Sequence, residues 1–219
     1  KLRMPTVRVD EEGTGGLVAL AKDVFGDILE VQLRGFWWWT LGMTWTCISL
    51  RGLNQMMLDM CMEPEGLKQL MQFLSDATMK QLDFFEGQGL LALNNGSSPV
   101  GSGGFGYTTE LPQPDFDGHV RTGEMWGFAE SQETTQVSPE QFEEFVFPYQ
   151  LPLLERFGLN CYGCCEPLDT RWHVVKRFPR LRRLSVSPWA DPETMAKHLE
   201  DKYVFSSKPS PTPLAAPEM

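Results

Sequence analysis

Positive charge is what this sequence has least of, relative to its opposite. Nineteen Lys and Arg stand against 29 Asp and Glu, for a formal net charge of −10. With no basic surplus to neutralise phosphates, a nucleic-acid partner is not expected, and a polyanionic substrate would need cations gathered locally. Long apolar runs are also missing. The longest, "FWWWTLGMTWTCISL" (36–50), is broken by Thr, Gly and Ser and falls short of the roughly 20 residues that span a bilayer. No signal-peptide pattern opens the chain. Its five Cys, an odd number with three of them clustered, do not make a secreted disulfide framework. These absences predict a cytoplasmic protein with reduced thiols and no membrane partner.

What is present describes a globular protein. Hydrophobic residues make up 42% of the 219 positions and charged residues 22%, which suits one large domain or two small ones. The first residue is Lys1 rather than Met, and "KLRMPTVRVDEE" reads as the interior of a longer product.

Short apolar stretches alternate with helical patterns. "DILEVQLRG" alternates Ile28, Val31 and Leu33 with polar neighbours and predicts a strand over 28–33. Leu53, Met56, Met57 and Met60 then follow helical spacing. The clearest helix starts at Pro64, shows Leu67, Leu70, Met71, Leu74, Leu82 and Phe85 on one face, and ends at Gly87 and Gly89. Further strands are predicted at 90–94, 125–130, 159–164, 183–187 and 203–207. Between them, Ser138 with Gln141 forms a capping-box start for a helix that Pro148 and Pro152 should kink or shorten. Asp169 or Thr170 opens the next helix, and Asp191-Pro192 opens the last.

Strand and helix in alternation, with no hairpin signal, predict a parallel sheet. No G-x-G-x-x-G opens a helix right after a strand, which counts against a nucleotide-binding doubly wound fold. The expectation is therefore a (β/α)8 barrel, incomplete in this chain because about six strands are legible and a barrel typically takes roughly 250 residues. Residues 95–124 form a long Gly/Pro-rich loop, of a length that usually marks a lid, a binding loop or a flexible excursion.

In such barrels the active site lies at the C-terminal ends of the strands. Four polar stretches fall there: the Gly-rich loop, "AESQET", "GCCEPLD" and "SPWAD". Glu130 and Glu133 are candidate acids or bases, and Tyr162 is a third candidate catalytic residue. Cys164 and Glu166 are candidate metal ligands, since zinc accepts both thiolate and carboxylate. Cys164 and Cys165 should not both ligate one ion, because neighbouring strand side chains alternate in direction and at most one points inward. Phe105, Tyr107 and His119 from the loop, and Trp189 from "SPWAD", are candidate substrate contacts. Trp37, in the aromatic run 36–39, could line a pocket for a flat ligand, with Arg34 as a carboxylate or phosphate anchor. Each of these has a plainer alternative as a core or surface residue.

"VSPEQFEEFVFPY", followed by a strand ending in "YGCCEP", resembles the uroporphyrinogen decarboxylase-like superfamily, which includes porphyrinogen decarboxylases and zinc-dependent methyltransferases that act on corrinoid proteins or thiols. The similarity runs from about residue 1 to about residue 214, with "LRMPTV", "GSGGFGYTTELP", "MWGFAESQE" and "SVSPWAD" closest to a bacterial branch. The resemblance implies a barrel with its site at the strand ends. Methyltransferase members hold zinc through a His-x-Cys pair at the end of this strand and a later Cys. Here Tyr162 stands at the His position and Cys164 at the Cys position, so Glu166 or Glu133 would have to substitute. Decarboxylase members hold their substrate with Arg and Asp residues of a segment that would precede this chain.

Three readings follow from the resemblance. The first is a methyltransferase with a zinc-thiolate site and a corrinoid, or a corrinoid protein, as partner. The second is a metal-free decarboxylase acting on a tetrapyrrole-like small molecule. The third is a non-catalytic barrel fragment that binds a small molecule or is completed by a partner chain, as in a homodimer.

Overall fold

The computed structural model describes residues 2–35 and 40–212. Trp37, a candidate pocket residue, lies outside the described residues. The chain is α/β, with eight α-helices and one four-stranded parallel sheet among the described residues. The strands are β1 (Trp126–Ala129), β2 (Leu159–Tyr162), β3 (Leu181–Val186) and β4 (Val204–Ser207), ordered β1-β2-β3-β4. Each pairs with the strand that follows it in sequence, and the ladder is irregular between Asn160 and Cys161.

Side-chain alternation gives the sheet two unlike faces. Ala129, Tyr162, Leu184 and Val186 join the main core with helical residues such as Met71, Leu74, Phe142, Phe145 and Leu153. Trp126, Phe128, Leu159 and Cys161 form a smaller core with Val100 and Leu111 from the Gly/Pro-rich segment. Residues 95–124 therefore cover the second face of the sheet. Arg183 straps them down: Nη1 donates to the Phe105 carbonyl at 2.8 Å and Nη2 to the Val100 carbonyl. Its guanidinium also lies over the Trp126 ring, 5.3 Å from the centroid, and Trp126 Nε1 donates to the Gly106 carbonyl at 2.9 Å. Gly104 lets the guanidinium lie close to the backbone, since a Cβ there would sit 2.5 Å from Arg183 Nη1 and displace it.

The helices are α1 (Glu11–Phe25), α2 (Thr44–Arg51), α3 (Leu53–Met62), α4 (Pro64–Gly87), α5 (Pro139–Phe145), α6 (Phe147–Leu154), α7 (Trp172–Val175) and α8 (Pro192–Leu199). In α4 the expected stripe is the one that packs, with Leu67, Met71, Leu74 and Leu82 buried. The prolines act as expected in the region that follows Ser138. Ser138 caps α5 through Gln141 N at 3.2 Å, the backbone breaks at Val146, and Pro148 stands in the first turn of α6. Asp191 caps α8, accepting from Glu193 N at 3.1 Å.

Two expected strands do not form, so the described residues hold four strands rather than six. Over 28–33 two of the alternating residues stay in solvent, with Ile28 72% and Leu33 69% exposed. A period of two stabilises a strand only where a second layer covers one side, and among the described residues Val31 alone of the three is half-buried. Residues 90–94 run beside β1 without a regular ladder. There the Asn94 side chain does a strand's work, accepting from Trp126 N at 2.8 Å and donating to Trp126 O at 3.0 Å. Leu41 N adds a bond to Phe128 O at 2.7 Å. Helices α1 and α2 have no counterpart in the sequence reading, and α1 buries none of its residues.

Candidate functional site

The C-terminal ends of β1 and β2 are joined by buried polar groups. β1 ends at Ala129, and the next two residues, Glu130 and Ser131, are buried. β2 ends at Tyr162, where Gly163 takes a left-handed φ of 95° and turns the chain sharply. Three residues later, Glu166 folds back into the turn. Its Oε1 accepts from Ser131 N and its Oε2 from Cys164 N, both at 2.8 Å. Burial pushes the Glu166 carboxyl up, while those two amides and the nearby Arg171 charge pull it back.

Arg171, carried in by the turn before α7, is buried within the same network. Its Nη2 donates to the carbonyls of Thr134 at 2.8 Å and Val137 at 3.2 Å, and its Nη1 reaches the Ser131 and Thr134 hydroxyls at 3.4 and 3.3 Å. The guanidinium lies over the Phe142 ring at 4.8 Å. Tyr162 is wholly buried on the helical face. Its hydroxyl donates to Gln150 Oε1 at 2.9 Å, and burial holds its pKa well above the usual tyrosine range. Gln150 Nε2 in turn donates to the carbonyls of Gly42 at 2.7 Å and Glu130 at 2.9 Å.

Glu130 is a strongly perturbed carboxyl of the group. Burial first, and then the negative charges of Glu133 and Glu166, push it up to about 7. The Gln132 amide, at 3.1 Å, and the Thr40 hydroxyl, at 3.3 Å, oppose the shift. Glu133 is half-buried and accepts from Thr44 Oγ1 at 2.6 Å. The segment 40–44 thus supplies a hydroxyl to each carboxylate.

Cys164 and Cys165 lie at the rim. Cys164 is half-buried and Cys165 exposed, with their sulfurs 3.7 Å apart, so both thiols reach the same place. This corrects the expectation that the two neighbouring side chains point in opposite directions. Ser185 Oγ at 3.3 Å and Lys208 Nζ at 2.9 Å both donate to the Cys164 carbonyl. Burial raises the Cys164 thiol.

The other candidates scatter. Phe105 and Tyr107 are exposed on the covering loop and pack edge to face, with centroids 6.2 Å apart. Trp189 is exposed just past β3, with its amide on Ser187 Oγ at 3.2 Å. His119 is exposed and lies near Gly89, at the end of α4 rather than at a strand end. Arg34 donates to Leu93 O at 3.1 Å and Ser98 Oγ at 3.0 Å, and with Arg8 it lines a cleft of about 740 Å³ walled by Val9, Leu33, Phe85 and Leu90. Neither Glu130 nor Cys164 lines that cleft.

The sequence reading did not single out Arg171, Gln150, Thr40, Thr44 or Arg183. A lone Arg or Gln inside a helical or strand pattern carries no local signal of burial. Only the tertiary fold shows that "DTRW" delivers a cation beneath "SQET".

No family model, curated protein or solved structure matches the chain. Both Glu166 oxygens accept buried backbone amides, one each, which fixes the direction of the carboxylate. Among the described residues, no three His, Cys, Asp or Glu side chains come together as ligands. Cys164 and Glu166 alone would supply two of the three protein ligands that a catalytic zinc typically has.

Proposed function

We propose that this chain forms part of the wall of a uroporphyrinogen decarboxylase-like (β/α)8 barrel. In this reading it is a metal-free enzyme that moves a proton on a carboxylated, tetrapyrrole-like small molecule through Glu130. The strand order supports the barrel: a doubly wound sheet reverses its order and carries helices on both faces, whereas this one runs in sequence with its helical core on one face. The observation that carries the chemistry is Glu130, a buried carboxyl at the end of β1 whose pKa near 7 suits proton transfer at neutral pH.

In a decarboxylation, carbon dioxide leaves and its electron pair stays on carbon. The protonated Glu130 gives its proton to that carbon and becomes a carboxylate. Thr40 orients the carboxylate until solvent returns a proton. The zinc-thiolate methyl transfer, with its corrinoid partner, ranks second because it needs ligands that the described residues do not assemble.

The test is anaerobic incubation with carboxylated porphyrinogens, following carbon dioxide release and tryptophan quenching together. Glu130→Gln should abolish release and leave quenching intact. Quenching without release in the unaltered protein would move the reading to a non-catalytic binding protein. Neither signal would sink it.

A further inference from the structure

The geometry points to Cys164 and Cys165 as a two-thiol chelate for a trivalent arsenic centre that carries one organic group. Adjacent residues of an extended chain send their side chains to opposite sides. Here the chain has already left β2 at Gly163, and the Cys164 peptide is pinned from both ends. Its N–H is held by Glu166, and its carbonyl by Ser185 and Lys208. The result is two reduced sulfurs 3.7 Å apart at an accessible rim, that of Cys164 also hydrogen-bonded by the Ser102 side chain.

That separation discriminates among partners. A disulfide would have to draw the sulfurs together to about 2.05 Å, against a backbone pinned on both sides. A linear two-coordinate ion would spread them to about 4.6 Å, twice a metal–thiolate bond of about 2.3 Å. One atom bonded to both sulfurs by bonds of that length, at an angle somewhat above 90°, holds them about 3.4–3.8 Å apart. Zinc meets this condition but requires two further ligands. An arsenic centre with one organic substituent is complete with two thiolates.

The chemistry balances without redox. An arsenic bearing one organic group and two hydroxides exchanges both for thiolates. Each thiol proton leaves with a hydroxide as water, two As–S bonds replace two As–O bonds, and arsenic stays trivalent. The elevated thiol pKa of Cys164 is no obstacle, since the proton departs during the exchange.

Phenylarsine oxide is the probe, applied to the full chain under oxygen-free conditions. Intact-mass spectrometry should show one phenylarsenic group per chain. Alkylation should then find two fewer reactive thiols, mapped to Cys164 and Cys165. A dithiol such as 2,3-dimercaptopropanol should reverse the adduct where equal monothiol does not. Cys165→Ser, at an exposed position that folding tolerates, should weaken binding by about 10²-fold or more, the loss expected when a linked second binding group is removed. Cys61→Ser should change nothing. Protection mapped to Cys61 or Cys47, or a Cys165→Ser protein that binds as tightly as the original, would overturn the proposal.

Discussion

Glu166 reaches across from the turn after β2 and accepts the backbone N–H of Ser131, just past β1, at 2.8 Å. Its other oxygen takes the Cys164 N–H at the same distance, so one carboxylate fastens two strand ends. Removing it leaves two amides without an acceptor and Arg171 without a nearby negative charge. Glu166→Ala should lower the unfolding free energy by about 3 kcal/mol, and Glu166→Gln, which keeps one acceptor, by roughly half as much. Urea denaturation with an unchanged slope would measure both.

Glu130 gives the protein a pH signature. Its folded pKa of about 7 lies above the ordinary glutamate value of 4.5, so the folded state holds the proton more tightly than the unfolded state. Its contribution is fully present below about pH 4.5 and is lost as pH rises through about 7, worth about 3 kcal/mol over the window. Glu166 is also raised and adds to the decline, so the informative quantity is the difference from Glu130→Gln. The variant should lose less stability than the parent between pH 5 and 8, as read by thermal melts. Parallel curves would show that Glu130 ionises normally.

The Arg183 strap should govern access to the loop. Arg183→Met keeps the apolar stem over Trp126 but gives up the two carbonyls at Val100 and Phe105. Limited proteolysis within 98–106 should speed up about tenfold, corresponding to about 1.4 kcal/mol of lost closure, while cleavage elsewhere is unchanged. Equal rates would mean that Val100 and Leu111 hold the loop unaided.

Asn94 makes two backbone-like bonds with Trp126, and an isosteric change tests them separately from packing. Asn94→Asp keeps the acceptor, loses the donor and buries a charge, so it should cost about 3 kcal/mol. Asn94→Ala should cost about 2 kcal/mol. Thermal denaturation that ranks them in the opposite order would show that the site is wetter than its burial implies.

These residues also show where the sequence was readable. β1, β2 and β3 are short stretches buried almost throughout, β4 pairs at the margin with Val204 and Phe205 exposed, and α4 carries a long, regular stripe with Pro64 at its start. Such signals are local and survive without knowledge of the fold. The 28–33 alternation is equally local, but of its three apolar residues Val31 alone is half-buried, so it stays irregular. At the site, Glu130 and Glu166 stood out as acids near strand ends. Their partners did not, because Ser131 N and Cys164 N are backbone groups, and Thr40 lies 90 positions from Glu130. Whether Cys165 faces Cys164 depends on the left-handed turn at Gly163, which a strand-based reading carries one residue too far.

The strand order has a consequence for how the molecule is built. Each strand pairs with the one synthesised just before it, and none is inserted between two that came earlier. A nascent chain can therefore extend its sheet at one growing margin, closing a single crossover at a time, without parting strands already joined. The segment 95–124 leaves the ribosome ahead of all four strands. It is already waiting when β3 emerges with Arg183, the side chain that fastens it in place.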